Sequence, residues 1–208
     1  MTGTPRGKLD ESFYLAEEMS AAPCGSILEF ADERFGREVV DGWLTEWGVD
    51  LRAMIASRAW VSLRFVELLF DRVVETGGAD LVIGMGRASI SPKHLGPIYP
   101  MFRAFASPAW TYARIGGAMG RFNKAQDVRI ENVGARHVHI HFALRPGVTV
   151  PATMHMCDFV EGQIASVPAL FDFPPATVKQ ISCVGRGDAE CVHDVTWRES
   201  ARGVSPWL

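Results

Sequence analysis

Long apolar runs are missing from these 208 residues: the most apolar stretch, WVSLRFVELLFDRVV, is broken by Arg64, Glu67, Asp71 and Arg72. No membrane span is expected. The opening MTGTPRGKLDESF carries acids and no apolar segment of the kind that directs export, so a cytoplasmic location is expected. Cysteine is scarce, with four in the chain, which argues against a disulfide framework and for a reducing compartment. A basic field is missing too: the formal net charge is -3, with Lys and Arg scattered among acids, and direct nucleic-acid binding is not expected. The chemistry-bearing signatures of common enzymes are absent. GMGRAS at Gly84 lacks a preceding strand and a third glycine, and there is no serine elbow and no HExxH, so the chain does not read as an enzyme. Repeats at a fixed period and low-complexity segments are absent as well.

What remains is a chain that is 48% hydrophobic and long enough to bury a sizeable core as one main domain. In ERFGREVVDGWLTEWG, Phe35, Val39 and Trp43 recur at four-residue spacing and predict one amphipathic helix stopped at Gly48. A second helix, about 58–76, is apolar all round except for the stripe Arg64, Glu67, Asp71 and Glu75. Asp80, Ser91-Pro92 and Ser107-Pro108 are start signals that divide 79–122 into short helices. The period then changes to two. DVRIENVGARHVHIHFAL puts Val138, Ile140, Phe142 and Leu144 on one face and His137, His139 and His141 on the other, a hairpin turning near Asn132 to Ala135. Helical spacing returns over about 152–170, with Met156, Phe159, Val160 and Ile164 as the apolar face, until FPP ends it. Two β-rich runs, TVKQISCV and ECVHDVTW, close the pattern around a glycine turn.

The expected fold class is therefore α+β: N-terminal helices, then helices packed on an antiparallel sheet built from two hairpins, with a ββαββ C-terminal half. Three segments are expected: 1–57 as a helical extension with Phe35, Trp43 and Trp47 as a candidate dimerisation surface, 58–198 as the main domain, and 199–208 as a tail.

With Gly187 at the centre of the last hairpin, Cys183 stands across from Cys191, and Cys157 lies on the preceding helix. Cross-strand Cβ atoms lie roughly 4.5–5.5 Å apart, close enough for two thiolates to share an ion. The three thiols either hold a metal or fill a core as small hydrophobes, and spacing leaves both open.

The segment of about 120–197 resembles the 4-vinyl reductase domain family, which includes effector-sensing domains of phenol- and xylene-degradation regulators. The resemblance rests on Cys157, on Cys183 and Cys191 eight residues apart, and on the Gly187-Asp188 turn. It implies zinc held by Cys157, Cys183 and Cys191. Gln180 stands where the family carries an acid, so either a water, His155, Asp158 or His193 completes the set, or the metal is lost and the thiols remain as core. The resemblance also implies a chamber for a small hydrophobic or aromatic effector. Its expected lining is Tyr99, Phe102, Trp110, Tyr112 and Phe122, with His139 as the polar contact. Gly116, Gly117, Ala118 and Gly120 would leave room beside them. The leading expectation is a cytosolic sensor domain that homodimerises and signals to an output module or partner protein. The rivals are an interaction scaffold and a reductase-associated or heme-based sensor. For heme, His94 or a stripe histidine is the candidate axial ligand, while the Tyr-x-Ser-x-Arg motif of heme nitric-oxide-binding proteins is absent.

Overall fold

A computed structural model describes residues 5, 7–95, 99–149 and 153–198, the side chains of residues 94, 95, 101, 102 and 105 excepted. The expected 199–208 tail and the side chains of Phe102 and His94 thus lie outside the described residues.

The first half is helical: α1 (Glu11–Tyr14), α2 (Cys24–Phe35), α3 (Arg37–Trp47), α4 (Leu51–Ala56), α5 (Leu63–Gly77), α6 (Asp80–Ser89), α7 (Pro92–Leu95), α8 (Tyr99–Phe105) and α9 (Pro108–Met119). A two-stranded ribbon, β1 (Met19–Ser20) with β2 (Trp60–Val61), is set among them. The second half is β3 (Gln126–Glu131), β4 (His137–Leu144), α10 (His155–Ser166), β5 (Thr177–Ser182) and β6 (Cys191–Thr196). The α+β class and the ββαββ order are as the residue pattern predicts. The four strands form one antiparallel sheet in the order β3-β4-β6-β5.

Local chemistry explains the boundaries. Ser107 accepts a hydrogen bond from Trp110 N–H with Pro108 in the first turn, Ser62 caps α5 through Phe65 N–H, and Asp50 caps α4 through Ala53 N–H. The single helix expected through Phe35, Val39 and Trp43 is two helices. Gly36 adopts φ 90° between them, a conformation that interrupts the helix and that glycine takes without strain.

α3 folds back on α2, and Arg52 ties them by reaching Asp32 at 3.0 Å and Asp41 at 2.8 Å. The large apolar side chains of this region are used internally. Trp43 meets Phe35 with ring centroids 5.6 Å apart, and fully buried Trp47 meets Phe65 at 6.2 Å. These rings therefore do not form an outer dimerisation face. Buried residues on both sides of position 57 belong to one contiguous core.

The sheet packs its apolar face, Val138, Ile140, Phe142, Cys191, His193 and Val195, against the helices, while the histidine stripe of β4 faces away. α10 crosses α6 at backbone contact: a Cβ on Gly86 would stand 2.0 Å from the Phe159 carbonyl oxygen, and one on Gly162 would stand 2.2 Å from that of Ile83. Only glycine admits that approach. Among the described residues no helix is long and apolar enough to cross a membrane.

Candidate functional site

Three backbone hydrogen bonds join the 18–20 segment to the connection that leads into β3. Ser20 N–H donates to Phe122 O at 2.7 Å, Lys124 N–H to Glu18 O at 2.6 Å and Ala125 N–H to Glu18 O at 3.0 Å. Behind this seam lies a cavity of about 100 Å³. The 19–27 segment contributes Met19, Cys24 and Ile27, and α10 contributes Met156, Phe159 and Val160. Val66 of α5, with Met119 and Phe122, completes the apolar wall. Its polar members are engaged with one another or with neighbours. Asn123 donates to Gln126 Oε1 at 2.8 Å and accepts from Ala125 N–H at 2.9 Å, and Gln163 donates to Ser89 Oγ at 3.0 Å. Burial pushes the Cys24 thiol up to about 12, so it stays protonated and behaves as a small hydrophobe. The cavity thus offers dispersion contacts and few free polar groups, a surface suited to an apolar guest.

Gln126, Met156 and Val160 also border a second gap of about 10 Å³, together with Phe142, Cys157, Cys191 and His193. His193 is fully buried, and neither ring nitrogen has a hydrogen-bond partner among the described residues. Burial holds its pKa down to about 4, so the ring is neutral at pH 7. An unsatisfied buried polar group costs about 1–3 kcal/mol. His193→Leu is therefore expected to raise stability by about 1–2 kcal/mol at pH 7 in a chemical-denaturation experiment. Below the unfolded-state histidine pKa of about 6.5 the unfolded chain takes up a proton that the folded ring refuses, so the parent loses stability as pH falls towards 4. The variant's advantage should widen over that interval. An equal or lower stability for the variant at pH 5 would show that the ring has a partner.

Next to His193 the three expected thiols do converge. Cys157 Sγ stands 3.4 Å from both Cys191 Sγ and Cys183 Sγ. α10 carries Cys157 and β6 begins with Cys191, while Cys183 lies one step beyond the last ladder pair of β5, Ser182 with Val192. A tight turn then fixes Cys183: its N–H donates to Asp188 Oδ2 at 2.7 Å, and its carbonyl accepts from Arg186 N–H and Asp188 N–H. The thiol of Cys191 is drawn down to about 6, chiefly by the Cys157 thiol beside it, with Val184 N–H also bound to its sulfur at 3.2 Å. Cys157 is pushed up by the same contact and by burial.

The described side chains of the expected effector contacts are not brought together. Tyr112 is fully buried, donates its hydroxyl to Ile164 O at 2.8 Å and packs on Trp197 at 5.0 Å, which is a core role. Trp110 is 41% exposed with Arg114 over its ring at 4.2 Å. Tyr99 is half-buried and reaches Leu170 O at 3.4 Å. Among the described side chains of this set, Phe122, 46% exposed, is the one that borders the cavity. His139 lies on the far side of the sheet, beside Asn132 and Asp194. Among the described residues the apolar cavity is bordered by α10, and not by the first hairpin beyond Gln126. The apolar stripe Met156, Phe159 and Val160 was the sequence signal for it, whereas Cys24 and Ile27 carry no local mark.

No family model and no curated protein sequence matches the chain. Its backbone is nevertheless similar to several solved structures. One is described as an Fe(II) unliganded H-NOX protein from K. algicida, with a TM-score of 0.66 and 14% identity over 88% of this chain and 98% of that one. Another is an oxygen-binding H-NOX domain related to soluble guanylate cyclases, at 0.64 and 16% over 87% and 96%. A third is an H-NOX protein from S. oneidensis in the Fe(II)NO state, at 0.63 and 11% over 87% and 100%. The likeness runs through both halves, so it corrects the expected membership of the 4-vinyl reductase domain family. The zinc expected at Cys157, Cys183 and Cys191 goes with that correction: it was implied by the family resemblance, and the similar structures carry iron instead. At these identities the comparisons establish the architecture: the chain has an H-NOX-like fold.

Proposed function

We propose that this chain is a non-catalytic sensor domain that admits a small apolar molecule into the cavity between the 19–27 segment and α10 and passes its occupancy to an output module or partner. The observation that carries the reading is the cavity itself, an apolar void of about 100 Å³ at the seam between the helical half and the sheet half. An apolar cavity of about 150 Å³ stays dry and takes benzene or xenon, so this one suits a guest of a few heavy atoms. A ligand shifts a conformational equilibrium only through unequal affinity for two states. A guest held by the N-terminal segment and α10 together would favour the state in which both are seated.

The fold raises heme as a cofactor, and the described lining of this cavity does not fit it. Cofactor pockets occupy about 300–1,000 Å³, and this cavity is several-fold smaller. Its lining holds no imidazole to serve as an axial ligand and no Arg or Lys to pair with propionates. Its one thiol is held protonated.

The test uses the full chain with xenon, propene and benzene as probes, read by xenon NMR and calorimetry, and hemin as the contrast. Saturable one-site binding of at least one apolar probe is expected, and it should be lost in Ile27→Phe, which fills the cavity, while thermal melting stays near that of the parent. Binding of no probe, or a stoichiometric Soret band with hemin, would overturn the reading.

A further inference from the structure

We propose that His137, His139 and Asp194 form a binding site for a divalent ion of the nickel–copper class on the solvent-facing side of the sheet. The site is independent of the cavity, which lies on the other face. Strand periodicity places His137 and His139 side by side on β4, and the ladder sets Asp194 of β6 directly opposite His139. The imidazole and carboxylate donors of the three residues all lie within 4.8 Å of one another. Asp194 Oδ1 stands 2.8 Å from His137 Nε2 and 3.8 Å from His139 Nε2. Bonds of about 2.0–2.2 Å from nitrogen and oxygen ligands to one ion place those ligands roughly 3.0–3.4 Å from each other, a spacing that lies between the two distances. Small side-chain adjustments would suffice.

The surroundings support ligation. Asn132, at φ 51° in the β3–β4 turn, holds its amide 2.9 Å from His139 Nδ1. The two ends of an amide are interchangeable by a flip. With Oδ1 towards the ring it would accept Nδ1–H and leave the Nε2 lone pair for an ion, the outer-shell arrangement usual at metal-bound histidines. The three side chains are 38%, 33% and 32% exposed, so an ion could enter and keep water in its remaining positions. The other end of the stripe is arranged differently. There Arg129 approaches His141 Nδ1 at 3.0 Å and Glu190 at 3.4 Å, so a guanidinium supplies the cation. Lys179 is the ladder partner of Asp194 on β5 and would compete for its carboxylate. Two imidazoles with one carboxylate favour borderline transition ions over Mg²⁺ or Ca²⁺, and affinity rises along the series to nickel and copper.

The experiment titrates metal-free full-length protein with Ni²⁺ by calorimetry, with Mg²⁺ as the control, and records copper electron paramagnetic resonance on the one-to-one complex. One Ni²⁺ site is expected, with no Mg²⁺ response and with hyperfine structure from two imidazole nitrogens. His139→Ala and Asp194→Ala should each weaken Ni²⁺ at least tenfold, Asn132→Ala should weaken it about tenfold, and His141→Ala should leave it unchanged. Circular dichroism melts of the His139, Asp194 and His141 variants should match the parent, since these three positions lie on the outer face of the sheet, while Asn132→Ala should melt lower because alanine is strained at φ 51°. The proposal is overturned if Ni²⁺ does not saturate, if the substitutions leave its affinity unchanged, or if the copper spectrum shows sulfur ligation, which would place the ion at the buried thiols.

Discussion

Gly162→Ala is expected to lower stability by at least about 3 kcal/mol, a lowering of the melting temperature by roughly 6–12 °C for a chain of this size. Gly86→Ala should behave alike. Each added methyl would sit 2.0–2.2 Å from a carbonyl oxygen of the opposite helix, and backbone, unlike a side-chain tip, has no rotamer with which to move aside. The helices must separate or tilt, and because α10 also lines the cavity, ligand binding should fall with stability. Gly42→Ala supplies the contrast. A methyl on that exposed glycine of α3 would meet nothing within 4 Å, so the exchange should add about 0.5–1 kcal/mol through helix propensity alone. Melting of Gly162→Ala within about 2 °C of the parent, well short of the shift expected for a chain of this size, would mean that the crossing is looser than described.

The second large effect centres on Glu67, which is 1% exposed. Its two carboxylate oxygens accept the N–H groups of His155 and Met156 at 2.8 and 2.9 Å, the first turn of α10. Glu67→Ala leaves two donors in a poorly hydrated place and should cost about 2–4 kcal/mol. Glu67→Gln retains one acceptor and should cost less. The pH dependence is the sharper test. Burial raises the Glu67 pKa to about 8 against the pull of the two N–H groups and His155. An acid whose folded pKa exceeds its unfolded value binds its proton more tightly when folded, so stability falls as pH rises from about 4.5 towards 8, by at most about 1.4 kcal/mol per pH unit. His155, raised by its Asp71 partner, adds a contribution of the same sign. It is present below the unfolded histidine value and is lost as pH climbs through the raised one. The buried His193 ring acts oppositely on the acid side. Urea midpoints measured at intervals from about pH 5 to 9 should therefore decline more gently for Glu67→Gln than for the parent over about pH 5–8. Parallel curves would assign the decline to other groups.

Both effects arise from contacts between residues far apart in the chain, and that is where the sequence was hardest to read. The Ser107-Pro108 start, the period-two run of β4 and the turn at Gly187-Asp188 depend on neighbours within a few positions, and the structure has all three. Glu67 recurs with Arg64, Asp71 and Glu75 at helical spacing and so reads as part of the one polar stripe on an otherwise apolar helix. Its burial is imposed by α10, 88 residues away. Gly36 sits inside an unbroken apolar period, and only the tertiary return of α3 onto α2 distinguishes a break from a tolerated glycine. The cysteines were legible as a group because a hairpin and a helix suffice to gather them, but the ion assigned to them came from a resemblance that the fold does not share. The missing Tyr-x-Ser-x-Arg motif bears on heme chemistry and says nothing about the backbone. An H-NOX-like architecture persists here at 11–16% identity to its structural neighbours.

The α6–α10 crossing also sets an order of events during synthesis. The groove around Gly86 and the carboxylate of Glu67 are made by residue 89, yet the helix that closes over them ends at Ser166. At about 5–20 residues per second, the ribosome needs roughly 4–15 s to supply it. For that time the apolar faces of α5 and α6 await a partner, in a chain whose closing contacts are too distant in sequence to form early. This is the interval in which a nascent chain is most exposed to aggregation and to chaperones, and it ends when the first turn of α10 meets Glu67.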